Sequence, residues 1–280
     1  MSDKGGIVDI AAPALGTGAF EFGQARLCQG NQGAEFSIAG LRAYSRFQPI
    51  YSFAHRRAIG FEALVGVDSA GGASHGPEKL FAQVRELRDL VELDRACRAL
   101  HVANYCAFEP GESWLLLNVN PTVAVHGKRF GSFFPALLER HGLPARRVVI
   151  EIVESRLAEE RGLEEAVAYY RTLGCLVAID DFGAGESNFN RIWRLKPDIV
   201  KIDREMIAAA AVERRARRLL TGIVALLHET GALVCVEGIE TEEEALAAVE
   251  ANADFMQGYL FARPLPGLPP AQDMAPLFEH

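Results

Sequence analysis

The chain lacks the marks of several protein classes. Its five cysteines, Cys28, Cys97, Cys106, Cys175 and Cys235, form no C-x-x-C pair and are odd in number. That argues against a disulfide framework and against a structural zinc site, and makes a reducing cytoplasm the expected location. The seven histidines show no H-x-x-x-H spacing and none ends an apolar run, so surface or satisfied roles are expected for them. No uninterrupted apolar stretch approaches the ~20 residues that span a bilayer. The opening residues, with Asp9 inside their apolar part, lack the basic-then-apolar layout of a signal peptide, so no targeting or membrane-inserting segment is expected. Positive charge is short too: 29 Lys and Arg stand against 37 Asp and Glu, a net charge of −8. Affinity for phosphate backbones comes mainly from Lys and Arg displacing counterions, so binding to polymeric nucleic acid or to an anionic membrane is disfavoured.

What is present is an ordinary soluble composition, 49% hydrophobic and 24% charged over 280 residues. That length suits two small domains or one α/β barrel of roughly 250 residues. Residues 1–40 are rich in Gly and Ala with little periodicity and read as a largely flexible extension holding at most a short helix. Gly16 and Gly18 do not make a phosphate loop, because no strand precedes them and no Lys-Ser/Thr follows. Across residues 41–280, short β-rich runs alternate with helical patterns, the signature of βαβ units. The runs are FQPIYSF near Phe47, AIGFEALV near Ala58, WLLLNV near Trp114, VVIEIV near Val148, CLVAID near Cys175, DIVKI near Asp198, LVCVEG near Leu233 and DFMQGYLF near Asp254. Eight runs match the strand count of a (β/α)8 barrel. The first two are joined only by SFAHRRA, too short for a helical crossover, so the expected fold is a modified TIM barrel with one antiparallel strand near its start. Helices are expected from Leu163 to a stop at Gly174, through a long stretch from Arg204 to Thr230, and after a capping box at Thr241 and Glu244 through Glu250.

Barrel enzymes carry their chemistry at the C-terminal ends of the strands. Here polar residues recur at that place: Asn118, Glu151, the pair Asp180 and Asp181, Lys201, Glu237 and Gln257, with Glu62 in the second run. Any one of them could cap a helix, make a turn or snorkel. Five carboxylates converging on one mouth without counter-charge would instead cost several kcal/mol of repulsion and desolvation, which bound cations remove. Oxygen ligands without His or Cys favour Mg²⁺ or Mn²⁺ over zinc. Adjacent Asp180 and Asp181 suit two ions about 4 Å apart, the arrangement that drives attack of water on phosphate esters.

Ordered motifs carry a resemblance: QPI at Gln48 to Ile50, Glu62-Ala63-Leu64, NVNP at Asn118, EIVE at Glu151 to Glu154, DDFGAG at Asp180 to Gly185, KID at Lys201 to Asp203, EGIE at Glu237 to Glu240, and QGYLF at Gln257 to Phe261. Over about Phe47 to Pro264 the chain resembles the EAL domain, the cyclic di-GMP phosphodiesterase module. The resemblance implies Mg²⁺- or Mn²⁺-dependent hydrolysis of cyclic di-GMP to linear pGpG on a modified TIM barrel that commonly forms homodimers. Carried over by position, Glu62, Asn118, Glu151 and Asp180 would hold one ion, and Asp180, Asp181 and Glu237 a second. Lys201 would hydrogen-bond the attacking water and balance charge, with Glu237 as base or ligand. Gln48, Pro49, Leu64 and Gln257 would meet substrate. Glu154, Gly183 and Gly185 would position the loop after DDFG.

The departures from the family pattern are informative. Gly66 stands where the pattern E-A-L-L-R has an Arg that contacts a substrate phosphate, so weaker substrate binding is expected, recoverable by Gly66→Arg. Arg56 or Arg57 could compensate, although a solvated turn suits both. Val153, Glu186 and Asn188 replace the usual Thr, Tyr and Ser. Two rival readings are a cyclic di-GMP receptor or scaffold without turnover, and an interaction platform built on Arg214, Arg215, Arg217 and Arg218. The complete ligand set favours the enzyme, since a receptor has no use for unpaired carboxylates.

Overall fold

The computed structural model describes residues 27–30, 32–126, 132–153, 160–183 and 189–269. In chain order the strands are β1 (Cys28–Gly30), β2 (Gly33–Ile38), β3 (Leu41–Ser52), β4 (Arg57–Ser69), β5 (Ser74–His75), β6 (Trp114–Val119), β7 (Val148–Val153), β8 (Leu176–Phe182), β9 (Ile199–Ile202), β10 (Leu233–Val236) and β11 (Phe255–Met256). The helices are α1 (Pro77–Phe81), α2 (Leu87–Ala107), α3 (Pro121–His126), α4 (Phe133–Arg140), α5 (Glu160–Thr172), α6 (Phe189–Leu195), α7 (Arg204–Val212), α8 (Arg214–Glu229) and α9 (Glu242–Glu250).

All eight apolar runs become barrel strands. The sheet closes in the order β3, β4, β6, β7, β8, β9, β10, β11 and back to β3. The expected antiparallel strand is β3, which opposes both of its neighbours, β4 and β11. β4 itself runs parallel to β6, so Glu62 reaches the common mouth on a strand of ordinary direction. Arg56, at φ 50°, closes the tight turn between β3 and β4, with its N–H donating to the Phe53 carbonyl.

Strand alternation sorts the side chains into layers. Inside the barrel, Ile50, Leu116, Val149, Ala178, Ile199, Cys235 and Phe255 form a buried apolar plug. Two residues nearer the mouth on the same strands come Gln48, Asn118, Glu151, Asp180, Lys201, Glu237 and Gln257, and β4 adds Glu62 two residues past Gly60. The alternate residues, Phe47, Tyr51, Leu115, Leu117, Ile150, Val177, Val200 and Val234, belong to the outer core shared with the helices. Each such large apolar side chain contributes about 1.5–3 kcal/mol on burial, which fixes the register and with it the polar layer.

Two expectations meet a different structure. Residues 28–30 and 33–38, read as part of an extension with at most a short helix, form β1 and β2, which continue the sheet beside β3. Alternating burial of Ala34 and Phe36 is their signal, too short to stand out in a Gly-rich segment. The stretch from Arg204 to Thr230 is two helices, broken at Glu213, whose backbone is extended (φ −110°, ψ 118°). Arg217 holds the break: Nε and Nη2 donate to the Ala210 and Ala211 carbonyls at 3.1 and 3.3 Å, and Nη1 pairs with Glu250 at 3.3 Å. Arg217 is therefore a structural clamp, while Arg214, Arg215 and Arg218 are exposed. The capping box at Thr241 and Glu244 forms as expected.

Candidate active site

The polar layer converges on Lys201. Its buried ammonium lies 2.7 Å from Glu151 Oε1, 3.2 Å from Glu62 Oε2 and 3.4 Å from Asp180 Oδ1, and closer still to Glu237 Oε1. Glu62 is held from three sides. Asn118 Nδ2 donates to its Oε1 at 2.9 Å, and Lys201 and Gln257 Nε2 donate to its Oε2 at 3.2 and 2.8 Å. Gln257 Nε2 also donates to Gln48 Oε1 at 3.2 Å, and Gln48 Nε2 donates in turn to the Ala262 carbonyl. β3 and β11, the antiparallel seam, are thereby tied to the carboxylate cluster.

Asp180 and Asp181 are adjacent, and in a regular strand they would face opposite ways. A bulge resolves this. Ile179 pairs with Val200 and Phe182 with Ile202, so β8 carries one more residue than β9 across the pair. Asp181 takes a left-handed backbone, φ 57°, and donates its N–H to Asp180 Oδ1 at 3.1 Å. Carboxylate oxygens of Asp180, Asp181 and Glu237 then lie within 4.8 Å of one another. Gly183 follows at φ 108°, and a Cβ there would meet Met206 Cε at 2.8 Å, so this turn needs glycine.

The electrostatics leave the mouth short of positive charge. Burial, then Glu62, Asp180 and Glu237, push the Glu151 carboxyl well above its ordinary range despite Lys201. Burial followed by the charges of Asp180 and Glu62 takes Glu237 up to about 8, against the pull of Lys201. Asp181 rises to about 6 through burial and Asp180. In Glu62, Lys201 and the Gln257 and Asn118 hydrogen bonds outweigh burial and lower the pKa. Lys201 itself is held well above its ordinary value, because the four carboxylates outweigh the cost of burying it. Glu151 Oε1 and Glu237 Oε1 have only the shared Lys201 ammonium as partner, and Glu151 Oε2 is buried with none. Oxygen-only donors, crowded around a single ammonium, fit hard divalent cations.

A cavity of about 210 Å³ opens beside the cluster, walled by Gln48, Glu62, Glu237, Gln257, Tyr259 and the Arg204–Glu240 ion pair (2.8 Å). Leu64 lies on the Glu62 face of β4, one step toward the rim. Pro49 does not join the site, since it pairs with Phe61 and alternates to the outer face of the wall. Glu154 and Gly185, with Glu186 and Asn188, lie outside the described residues. Three of the described histidines have partners away from the carboxylate cluster: His55 with Ser52, His101 with Ser45 and His228 with Asp254.

A model of the EAL domain matches residues 37–264. The chain belongs to the EAL domain family. Among curated EAL relatives, the Pseudomonas aeruginosa protein named cyclic di-GMP phosphodiesterase RocR is 34% identical over 154 residues, covering 54% of this chain and 39% of that protein. The manganese and cyclic di-GMP complex of Klebsiella pneumoniae BlrP1 has a similar structure, with TM-score 0.72 and 27% identity over 80% of this chain and 56% of that one. A standalone EAL protein from Vibrio cholerae, solved with cyclic di-GMP bound, gives TM-score 0.72 and 26% identity over 82% and 95%. The chain spans less than half the length of the first curated relatives it matches. Among the described residues, no helix is long and apolar enough to cross a membrane.

The barrel bears out the solvated turn expected for Arg56 and Arg57 and adds an obstacle at Gly66. Arg56 and Arg57 sit at the N-terminal end of β4, the end of the barrel away from the mouth, so neither compensates for Gly66. Gly66 is also covered: a Cβ there would lie 2.5 Å from the ring of Tyr44, the residue paired with it on β3. An Arg at 66 would have to displace that ring. The Tyr44 and Gly66 pairing is invisible before the strand register is known.

Proposed function

We propose that this chain hydrolyses cyclic di-GMP to linear 5′-pGpG in the cytoplasm, as a homodimer, using Mg²⁺ or Mn²⁺ held by Glu62, Asn118, Glu151, Asp180, Asp181 and Glu237. The observation that carries the reading is the convergence of five carboxylates around one ammonium at the barrel mouth, with one fully buried oxygen, Glu151 Oε2, left without any partner. The names of the EAL relatives and the ligands of the solved neighbours supply the substrate. All five cysteines are free thiols, which suits a reducing compartment, and Trp193 on α6 is 74% exposed, which suits a partner subunit.

Divalent cations, held by Glu62, Asn118, Glu151, Asp180, Asp181 and Glu237, would lower the pKa of water in the mouth and offset the charge that builds on the phosphate. The chain's own groups do the rest. Lys201, fixed by four carboxylates, presents a donor to the attacking water. Glu237, beside it, is either a cation ligand or the base that takes the proton of that water. Gln48, Leu64 and Gln257 line the approach, with Gly183 shaping the loop beside Asp181.

The test is product formation from cyclic di-GMP by purified chain with Mn²⁺, followed by chromatography, beside Glu62→Ala. Linear pGpG is expected from the unaltered chain, with at least about 100-fold loss in the variant. Tight binding with no turnover would make the chain a cyclic di-GMP receptor instead.

A further inference from the structure

The wall of the mouth formed by β3 and β4 presents alternating side chains in the order Gln48, Arg46, Tyr44, Arg42 on β3, paired with Glu62, Leu64, Gly66, Asp68 on β4. Gln48 and Glu62 belong to the polar layer, so Arg46 and Leu64 form the next layer outward, about 6.7 Å along the strand. Arg46 is half-buried there. Its Nε and Nη2 both donate to the Pro264 carbonyl, at 3.2 and 2.9 Å. This anchor orients the guanidinium without neutralising it.

Two other arginines near the mouth are neutralised by carboxylates: Arg42 is clamped between Glu35 and Asp68 at 3.0 and 2.6 Å, and Arg204 pairs with Glu240. Arg263 keeps its charge but is exposed, stacked 4.2 Å from the centre of the Tyr259 ring and not anchored to the barrel wall. Among the described residues no carboxylate lies within ion-pair distance of Arg46, and Nη1 has no protein acceptor. A cationic side chain fixed at the rim of a carboxylate-rich mouth, with one edge open, is suited to an anion. Cyclic di-GMP carries two phosphodiesters on opposite sides of its ring. One goes to the cation-binding carboxylates, and the other needs a counter-charge further out.

We propose that Arg46 binds the phosphate of the substrate that is not being cleaved, and so sets the affinity of the site for a cyclic dinucleotide. The proposal rests on the phosphodiesterase reading above. It places the contact on β3, one strand across from Gly66, where the Tyr44 ring leaves no room for a long side chain.

The experiment compares Arg46→Gln and Arg46→Lys with the unaltered chain in Mn²⁺ on two substrates: cyclic di-GMP and bis(p-nitrophenyl) phosphate, which has one phosphate only. Arg46→Gln is expected to raise KM for cyclic di-GMP about tenfold or more, with kcat changed less than about twofold and Arg46→Lys in between. For bis(p-nitrophenyl) phosphate, kcat/KM is expected to fall by no more than about twofold. An unchanged KM, or an equal loss on both substrates, overturns the proposal, the latter because Arg46 would then act through Pro264 alone. If the chain binds cyclic di-GMP without cleaving it, the phosphodiesterase reading fails but the same tenfold change is expected in Kd, so the two failures are distinguishable. A chain that neither binds nor cleaves cyclic di-GMP overturns both.

Discussion

Binding of a divalent cation to this mouth should release protons, and the amount is set by the carboxylates that burial and crowding hold protonated. With Glu237 at about 8, its carboxyl is about 90% protonated at pH 7, and Asp181 at about 6 adds about a tenth of a proton. Glu151 is pushed in the same direction by burial and its neighbours. A ligating carboxylate must be ionised, so loading the metal-free chain with Mn²⁺ at pH 7 is expected to release about one proton or more. The sign follows: affinity for the cation falls as pH drops below 8, by about tenfold per pH unit for each proton released. At pH 9 the Glu237 share shrinks to about a tenth of a proton. Calorimetric titration with Mn²⁺ in two buffers of different ionisation enthalpy measures the count directly. Glu237→Gln should remove close to one proton from it. Release below about 0.3 proton at pH 7, or the same release in Glu237→Gln, would refute the reasoning that these oxygens are waiting for positive charge.

Two further predictions concern stability. His101 is buried with its Nδ1 2.9 Å from Ser45 Oγ, and burial takes its pKa from 6.5 down to about 4. Above pH 6.5 both folded and unfolded chains hold it neutral; as pH falls toward 4 the unfolded chain takes a proton that the folded one refuses. Between pH 7 and 4.5 the unaltered chain is therefore expected to lose about 2 kcal/mol more than His101→Asn in urea unfolding, and parallel pH profiles would refute this. Gly66→Arg is expected to destabilise by about 1–3 kcal/mol, because the Tyr44 ring must leave its place against Asp68 and Arg42. Adding Tyr44→Ala should recover most of that loss, and strict additivity of the two changes would show that they do not meet.

Much of this site is legible in the chain because it depends on local alternation. An apolar strand that ends in one polar residue places it at the mouth whatever the helices outside look like, which is why Asn118, Glu151, Asp180, Lys201, Glu237 and Gln257 could be picked out one by one. The first two runs likewise show their antiparallel pairing through a linker too short to cross over. Pro49 fails by the same rule, since it is one residue out of phase with Gln48 and faces the outer core. Residues 28–30 and 33–38 and the break at Glu213 escape for a different reason. The first are strands only because β3 offers an edge to pair with, and the second exists because Arg217 ties two helix ends together.

The amino-acid sequence by itself determined the eight strands, the acidic residues assigned to their ends and the hard-cation character of the ligands, because each rests on side-chain chemistry and a period of two. Tertiary structure alone decided which strand runs backwards, how a one-residue bulge turns both Asp180 and Asp181 into one mouth, and which arginine is anchored in the wall of that mouth without a carboxylate partner. Those outcomes depend on register between segments far apart in the chain: Arg46 and Arg56 look alike in the sequence, but closure of the barrel puts one at the rim of the site and the other at the opposite end.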